Sequence, residues 1–458
     1  MAEAMMLKEN ELQSFEERKK YVITVVGCGR MGLSTACLFS EAGFQVVCLD
    51  SDPYIVSQIV KGTSPFAEPG LSQILKRNLK ENRISATMDF KEVIPKSDVI
   101  IVAVNISVNE KRQPDYSNIE GSCKNIGINM KRGTLIIIES TLGPTVTETL
   151  VRETLEASSG LKAGVDFGLV YSPIRATVGR TLRDMTEYSK IVAGINRQST
   201  RAAKAVLKTV VKGDLVEVPN FRTAEAAKIF ENIYRDVNIS LANEFSVYCE
   251  MAGIDYFQAQ KAANTQPFCH LLKPGIVSGR MPKDSFLLID EVMDVGVKLR
   301  MPILARSIND NMIKHASNLV KSALRSCDKP VRRSRISVMG VSYRPNVKEA
   351  RDSLVPNLVN TLKRMGAKVN VFDPYFTYKE LRNLGYDAEP SFDKTVEGAD
   401  CILIAVGHSG FKRLSLARIS AVMKKPSAIV DLAHIVNPAK AMKEGFIYRG
   451  LGRGVWKK

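Results

Sequence analysis

The chain of 458 residues is 45% apolar and 25% charged, which excludes a disordered protein and supplies apolar material for two or three cores. Lys and Arg (65) outnumber Asp and Glu (48) for a net charge of +17, but they are spread thinly, densest at Lys329–Arg335 and Arg449–Lys458 and without interleaved aromatics, which argues against nucleic acid and for small anionic ligands. Eight scattered cysteines with no CxxC pair or histidine cluster argue against a disulfide framework and a metal site; with no apolar run of ~20 residues and no signal-peptide pattern, a cytoplasmic protein without a membrane span is expected.

Residues 1–20 alternate Glu and Lys and form an N-terminal extension, disorder being expected only at the chain ends. From Tyr21 the pattern runs strand (Val22–Val26), glycine turn (Gly27–Gly32), apolar-faced helix to Ala42, and strand (Gln45–Asp50), which is one βαβ unit. Buried-type strands at Val99–Val104, Leu135–Glu139 and Leu169–Tyr171 alternate with helical patterns and predict a parallel sheet covered on both faces. Between about Arg201 and Leu324 strand signals stop and helices are expected, the clearest over Phe221–Met251. Ser326–Arg335, with Pro330, reads as a solvated linker. Alternation then resumes with strands Ile336–Gly340, Lys368–Phe372, Cys401–Val406 and Ser427–Leu432 and helix Leu354–Arg364. The expected fold class is α/β. A Rossmann-like doubly wound parallel sheet spans 21–205, a central helical domain 206–325, a linker 326–335, and a second, Rossmann-like α/β domain 336–458.

Gly27-Cys28-Gly29-Arg30-Met31-Gly32 is a GxGxxG pattern between a strand and a helix. There the first glycine makes the turn, the second lets backbone amides approach a pyrophosphate, and the third packs helix on strand. Asp50 ends the next strand at the spacing of a carboxylate that bonds ribose hydroxyls; it would repel a 2′-phosphate, so NAD is expected rather than NADP.

Beyond this unit the sequence carries Leu49-Asp50-Ser51-Asp52-Pro53, Ser64-Pro65-Phe66-Ala67-Glu68-Pro69-Gly70-Leu71, Glu139-Ser140-Thr141, Ala224-Glu225-Ala226-Ala227-Lys228 leading to Glu231-Asn232, Pro282-Lys283-Asp284, Tyr343-Arg344-Pro345-Asn346 with Arg351-Asp352-Ser353, and Gly450-Leu451-Gly452-Arg453. In these segments, from Tyr21 to Trp456, it resembles the UDP-glucose/GDP-mannose dehydrogenase family. Members oxidise a sugar C6 hydroxymethyl to a carboxylate in two NAD-dependent hydride transfers. The resemblance implies a UDP-sugar substrate, a homodimer through the central helices, and roles for single residues. Lys228 and Asn232, four apart and so on one helix face, match the lysine–asparagine pair at the developing alkoxide. Asp284 matches the aspartate that works with that lysine, and Thr141 the threonine near nicotinamide. Gly27, Gly29, Arg30, Met31, Gly32 and Asp50 would hold the cofactor; Gly275, Arg280, Arg344 and Arg351 would join Lys228 and Asn232 in holding substrate. Arg235-Asp236-Val237-Asn238-Ile239 looks like the N-acetylmannosamine branch, and Pro282-Lys283-Asp284 like the UDP-glucose branch.

The chain also departs from the family. Arg280 stands where the family has its nucleophilic cysteine, no cysteine occurs between Cys269 and Cys327, Ile174 replaces a glutamate, and Ile106-Ser107 replace a Thr-Pro pair. Arginine is neither nucleophile nor base, so the four-electron oxidation is in doubt while the parts needed for a two-electron step are present. Two readings follow. One is an NAD-dependent dehydrogenase of a UDP-hexose or UDP-N-acetylhexosamine serving polysaccharide or glycan synthesis, possessing an altered, two-electron reaction. The other is a catalytically silent NAD- and nucleotide-sugar-binding paralogue acting as sensor or partner. The retention of Lys228, Asn232 and Asp284 favours the enzyme.

Overall fold

The computed structural model describes residues 9–109, 111–277, 281–294 and 296–456; Arg280 lies outside them. The chain divides into two compact units, residues 1–232 with 283–298, and 233–282 with 299–458.

The first unit is built on strands β1 (Val22–Val26), β2 (Gln45–Leu49), β3 (Ile84–Thr87), β4 (Val99–Val102), β5 (Leu135–Ile138), β6 (Gly168–Tyr171), β7 (Lys190–Gly194) and β8 (Leu215–Glu217), in the order β8-β7-β6-β5-β4-β1-β2-β3. The central strands Val-Ile-Ile-Val and Leu-Ile-Ile-Ile are buried throughout, as β-branched runs covered on both faces must be. Pairing is parallel from β3 across to β6, but β7 runs antiparallel to β6, so the sheet is not wholly parallel. Strand β8 falls where the sequence predicts only helices; three residues with an exposed Glu217 carry too little apolar pattern to read as an edge strand. Order reverses between β1 and β4, which places the glycine turn after β1 beside the loop after β4. Helix α1 (Arg30–Glu41) follows that turn. Within the extension, Leu12 is buried in the core, Ser14 and Glu17 form a capping box, and Arg18 donates to the carbonyls of Leu12 and Ala42.

The second unit has an all-parallel sheet of β9 (Arg335–Met339), β10 (Lys368–Phe372), β11 (Cys401–Ile404), β12 (Ser427–Asp431) and β13 (Phe446–Gly450), in the order β10-β9-β11-β12-β13. Helix α2 (Phe221–Ala252) runs for 32 residues and belongs to the second unit from Ile233 on; α3 (Tyr256–Ala263) follows, α4 (Met281–Asp294) belongs from Lys283 on to the first unit, and α5 (Arg300–Arg325) and α6 (Val355–Arg364) belong to the second. Helix α5 is a layer of the second sheet, since Met312, Ala316, Leu319, Val320 and Leu324 share one core with Ile336, Val338 and Leu358. The stretch 326–335 is exposed at Ser326, Asp328, Pro330, Arg332, Arg333 and Arg335 but is anchored to the second unit between them. Cys327 and Ser334 are buried, and Lys329 donates to the carbonyls of Lys424 and Pro426 and pairs with Asp400. A charged, proline-bearing sequence reads as solvated, but here backbone carbonyls take up the ammonium.

Candidate active site

The glycine turn has the shape a dinucleotide needs. Gly27 has φ 87°, and a Cβ there would come within 2.9 Å of Val104 Cγ1; a Cβ on Gly32 would lie 1.9 Å from the Gly27 carbonyl oxygen, so both positions exclude any side chain. At Gly29 a Cβ would meet no atom within 4 Å, leaving open space over the first turn of α1 where backbone amides and the helix dipole favour a pyrophosphate. Asp50 Oδ2 accepts from the Cys28 amide at 2.6 Å and Oδ1 from the Asp52 amide at 2.9 Å, which fixes the carboxylate at the end of β2. These residues fit an NAD adenosine and pyrophosphate. Met31 is half-buried in the same turn. The Arg30 guanidinium is buried over the Phe66 ring, donates to the Ala67 carbonyl at 3.0 Å and lies 3.4 Å from Glu68. Glu68 in turn accepts from the amides of Gly179 and Thr181. Arg30 therefore ties the glycine turn to two neighbouring loops, and Glu68, which nothing but its place in the quoted motif marked, is the hub.

Helices α2 and α4 bring three of the sequence-predicted residues together. Asn232 Nδ2 donates to Asp284 Oδ2 at 2.6 Å, and Lys228, nearly buried, lies one turn earlier on the same face of α2. Glu225, a turn before Lys228, is fully buried and accepts from the Thr147 amide at 2.8 Å and its hydroxyl at 2.5 Å, holding the π-helical turn Thr147–Val151 that follows β5. Burial, then Glu225 and Asp284, push the Tyr171 phenol well up, so it stays neutral beside the two carboxylates. Lys283 donates to Asn105 Oδ1 at 3.1 Å and to the Ile106 carbonyl, joining the start of α4 to the loop after β4. Thr141, half-buried, follows β5. Its neighbour Glu139 accepts from Thr35 at 2.9 Å and from Lys190 at 2.5 Å, and Ser140 donates to the Val104 carbonyl at 2.8 Å, so the loop carrying Thr141 is fixed from below.

No thiol in this unit suits nucleophilic work: Cys28, Cys37, Cys48 and Cys123 are buried, and burial foremost pushes the thiols of Cys28, Cys37 and Cys123 up. Beside the half-buried Ile174, Arg175 pairs with Glu231 at 2.6 Å.

The remaining sequence-predicted residues belong to the second unit. Gly275 bonds through its amide and carbonyl to Asn243. Arg344 and the exposed Arg351 lie on the loop after β9, at the reversal of strand order between β9 and β11 where such sheets take ligands. Arg351 forms a two-pronged pair with Glu349 at 3.1 and 3.2 Å. Behind that loop the fully buried His408 holds Asp373 at 3.0 Å through Nε2 and accepts the Asn346 amide at 3.0 Å on Nδ1. Among the described residues no helix is long and apolar enough to cross a membrane.

Residues 21–212 match the NAD binding domain of the UDP-glucose/GDP-mannose dehydrogenase family, residues 222–311 its central domain, and residues 337–438 its UDP binding domain. UDP-N-acetyl-D-mannosamine dehydrogenase of Pyrococcus horikoshii is 33% identical over 434 residues, covering 94% of this chain and 99% of that protein. UDP-N-acetyl-D-glucosamine 6-dehydrogenase of Pseudomonas aeruginosa is 28% identical, covering 92% of this chain and 99% of that protein. The solved structure of the P. horikoshii UDP-D-ManNAc dehydrogenase superposes with a TM-score of 0.87 at 32% identity, covering 95% of this chain and 100% of that one. That of an NDP-N-acetyl-D-galactosaminuronic acid dehydrogenase from Methanosarcina mazei does so at 0.81 and 29%, covering 99% of each. The glycine turn, the buried lysine and aspartate with the asparagine between them, and all three domain matches agree: the chain belongs to the UDP-glucose/GDP-mannose dehydrogenase family.

Proposed function

We propose that this NAD-dependent nucleotide-sugar dehydrogenase oxidises the C6 hydroxyl of a UDP-hexosamine or UDP-hexose and stops after one hydride transfer, at the aldehyde. The observation that carries the reading is the Asn232–Asp284 bond beside Lys228, in a chain with Arg280 and Ile174 at the positions of the family's cysteine and glutamate. NAD, when bound, supplies the hydride acceptor. The chain's own groups handle the proton and the charge. The Lys228 ammonium and Asn232 amide stabilise the alkoxide as the C6 hydroxyl gives up its proton, and Asp284 fixes the amide and takes part in relaying that proton to water. The alcohol loses one proton and one hydride and leaves as aldehyde. A further oxidation to the acid requires a nucleophile on the aldehyde carbon, and arginine cannot act as one.

The names of the relatives support an N-acetylhexosamine as the sugar, UDP-N-acetyl-D-mannosamine first. Thr141 serves the nicotinamide end, and Gly275, Arg280, Arg344 and Arg351 the nucleotide sugar. A cytoplasmic location suits such a substrate. The partner is a second copy of the chain, on the face of α2 where Tyr234, Leu241, Phe245 and Tyr248 are exposed at positions seven, eleven and fourteen residues on from the first. The silent-sensor reading is favoured by Ile174 and Arg280 and opposed by the intact lysine, asparagine and aspartate. The test is NADH formation on mixing the chain with NAD and UDP-N-acetylmannosamine, UDP-N-acetylglucosamine, UDP-glucose or GDP-mannose. Turnover that vanishes in Lys228→Ala supports the enzyme; binding of NAD and a UDP sugar without turnover supports the sensor.

A further inference from the structure

A row of buried polar side chains stands behind Gly275 with no part in the chemistry above. Asn243 on α2 accepts from the Gly275 amide at 2.8 Å and donates to its carbonyl at 3.1 Å and to Asn309 Oδ1 at 2.8 Å. Asn309 on α5 donates both amide hydrogens to Asp236, at 2.8 Å to the carboxylate and 3.0 Å to the carbonyl. Asp236 lies 3.1 Å from the Arg306 guanidinium, whose other arm reaches Asp310 at 3.2 Å. Asn243 and Asn309 are 0% exposed, and Asp236 and Arg306 1%.

A buried ion pair and two buried amides are a poor means of joining two helices, because apolar residues of the same volume hold helices as well or better. What such a network does provide is one fixed arrangement, since any shift strands a buried donor or acceptor. The backbone it fixes belongs to residues 271–277, which have neither helix nor strand. That segment is held almost entirely by side chains. Leu271 bonds through its amide and carbonyl to Asn264 and through its carbonyl to Gln260, and the Leu272 carbonyl accepts from Tyr256 at 2.6 Å. At Gly275 both backbone groups go to the single side chain of Asn243, while a Cβ on its other side would meet nothing within 4 Å. A backbone pinned from behind and open in front is how a rigid ligand seat is made from a loop.

We infer that Asn243 is a positioning residue that sets the Gly275 backbone, within the segment 271–277, as a seat for the nucleotide sugar. The inference rests on the nucleotide-sugar reading of that loop. Asn309 acts on Gly275 only through Asn243, and this gives the control. In Asn243→Ala the KM for the UDP sugar rises about tenfold or more, the KM for NAD is unchanged, and amide exchange at Gly275 speeds up while α2 and α5 stay protected. Asn309→Ala disturbs the same buried network but keeps both bonds to Gly275, and it lowers Tm with a much smaller change in KM. Asn243→Asp, which keeps the acceptor for the Gly275 amide and side-chain size, replaces Asn243→Ala if the latter does not fold, and moves the UDP-sugar KM in the same direction. Equal KM changes in the Asn243 and Asn309 variants, or fast exchange at Gly275 with an unchanged KM, would overturn the proposal. A wild-type chain that binds no UDP sugar in calorimetry instead refutes the functional reading beneath it.

Discussion

Asn232 and Asp284, 52 residues apart in the chain, are joined by a 2.6 Å hydrogen bond that links helix α2 to helix α4. The bond fixes the Asn232 amide, one helical turn along α2 from Lys228, against the buried Asp284 carboxylate. It is the feature that separates an assembled site from a set of matching letters, and it makes Asp284 the most informative position to change.

Asp284→Asn keeps size and shape but replaces the acceptor facing the Asn232 amide with a group that can present a second donor. We expect kcat to fall by about 10²–10⁴, with NAD affinity unchanged because the glycine turn is untouched. Steady-state kinetics beside NAD titration by fluorescence checks both halves.

The two later glycines of the turn should respond in opposite ways. Gly32→Ala forces a methyl to within 1.9 Å of the Gly27 carbonyl oxygen and should lower Tm by several degrees, since the helix must move off the strand. Gly29→Ala meets nothing in the protein alone, so Tm should hold, while the methyl occupies the space over the helix terminus and raises the KM for NAD by about tenfold. Thermal melts with and without NAD separate the two.

What was legible in the sequence follows from how local each signal is. The turn from Gly27 to Gly32 and the Asp50 carboxylate lie within one βαβ unit, so the spacing alone places them together. The Asn232–Asp284 bond depends on how α4 returns to α2, which no periodicity encodes; only the family resemblance pairs the two. Glu68 and Glu225 were present in quoted motifs, but an acidic residue gives no sign in sequence of being buried against backbone amides. Strand β7 ends in a glycine and runs antiparallel to β6, a direction that its apolar pattern cannot show. The anchoring of 326–335 is hidden for a related reason: the carbonyls of Lys424 and Pro426 that receive Lys329 lie almost a hundred residues away.

His434 provides a pH signature in the second unit. It adopts φ 56°, neither ring nitrogen has a hydrogen-bond partner, and burial, followed by Arg453 and Lys273, lowers its pKa from 6.5 to about 3. The unfolded chain binds this proton below pH 6.5 and the folded chain does not. Stability is therefore fully present above pH 6.5 and is lost as pH falls towards 3. His434→Asn, which tolerates the left-handed backbone, should flatten the dependence between pH 6.5 and 5 in urea melts. An unchanged slope would mean the imidazole is solvated in the folded chain.

Tyr234 and Tyr248 on α2 are 63% and 64% exposed, with Leu241 and Phe245 also exposed between them, and this is the stripe the proposed dimer would cover. Light scattering should give a mass of twice 50.6 kDa for the wild-type chain and a single copy for the double variant Tyr234→Glu with Tyr248→Glu, at unchanged helix content.

The most direct test of the central claim is the number of NADH formed per UDP-N-acetylmannosamine consumed, with mass analysis of the sugar product. One NADH and an aldehyde, with both lost in Asp284→Asn, is the predicted result. Two NADH and a uronate would contradict it, and would mean that a group other than the family's cysteine traps the aldehyde in this chain.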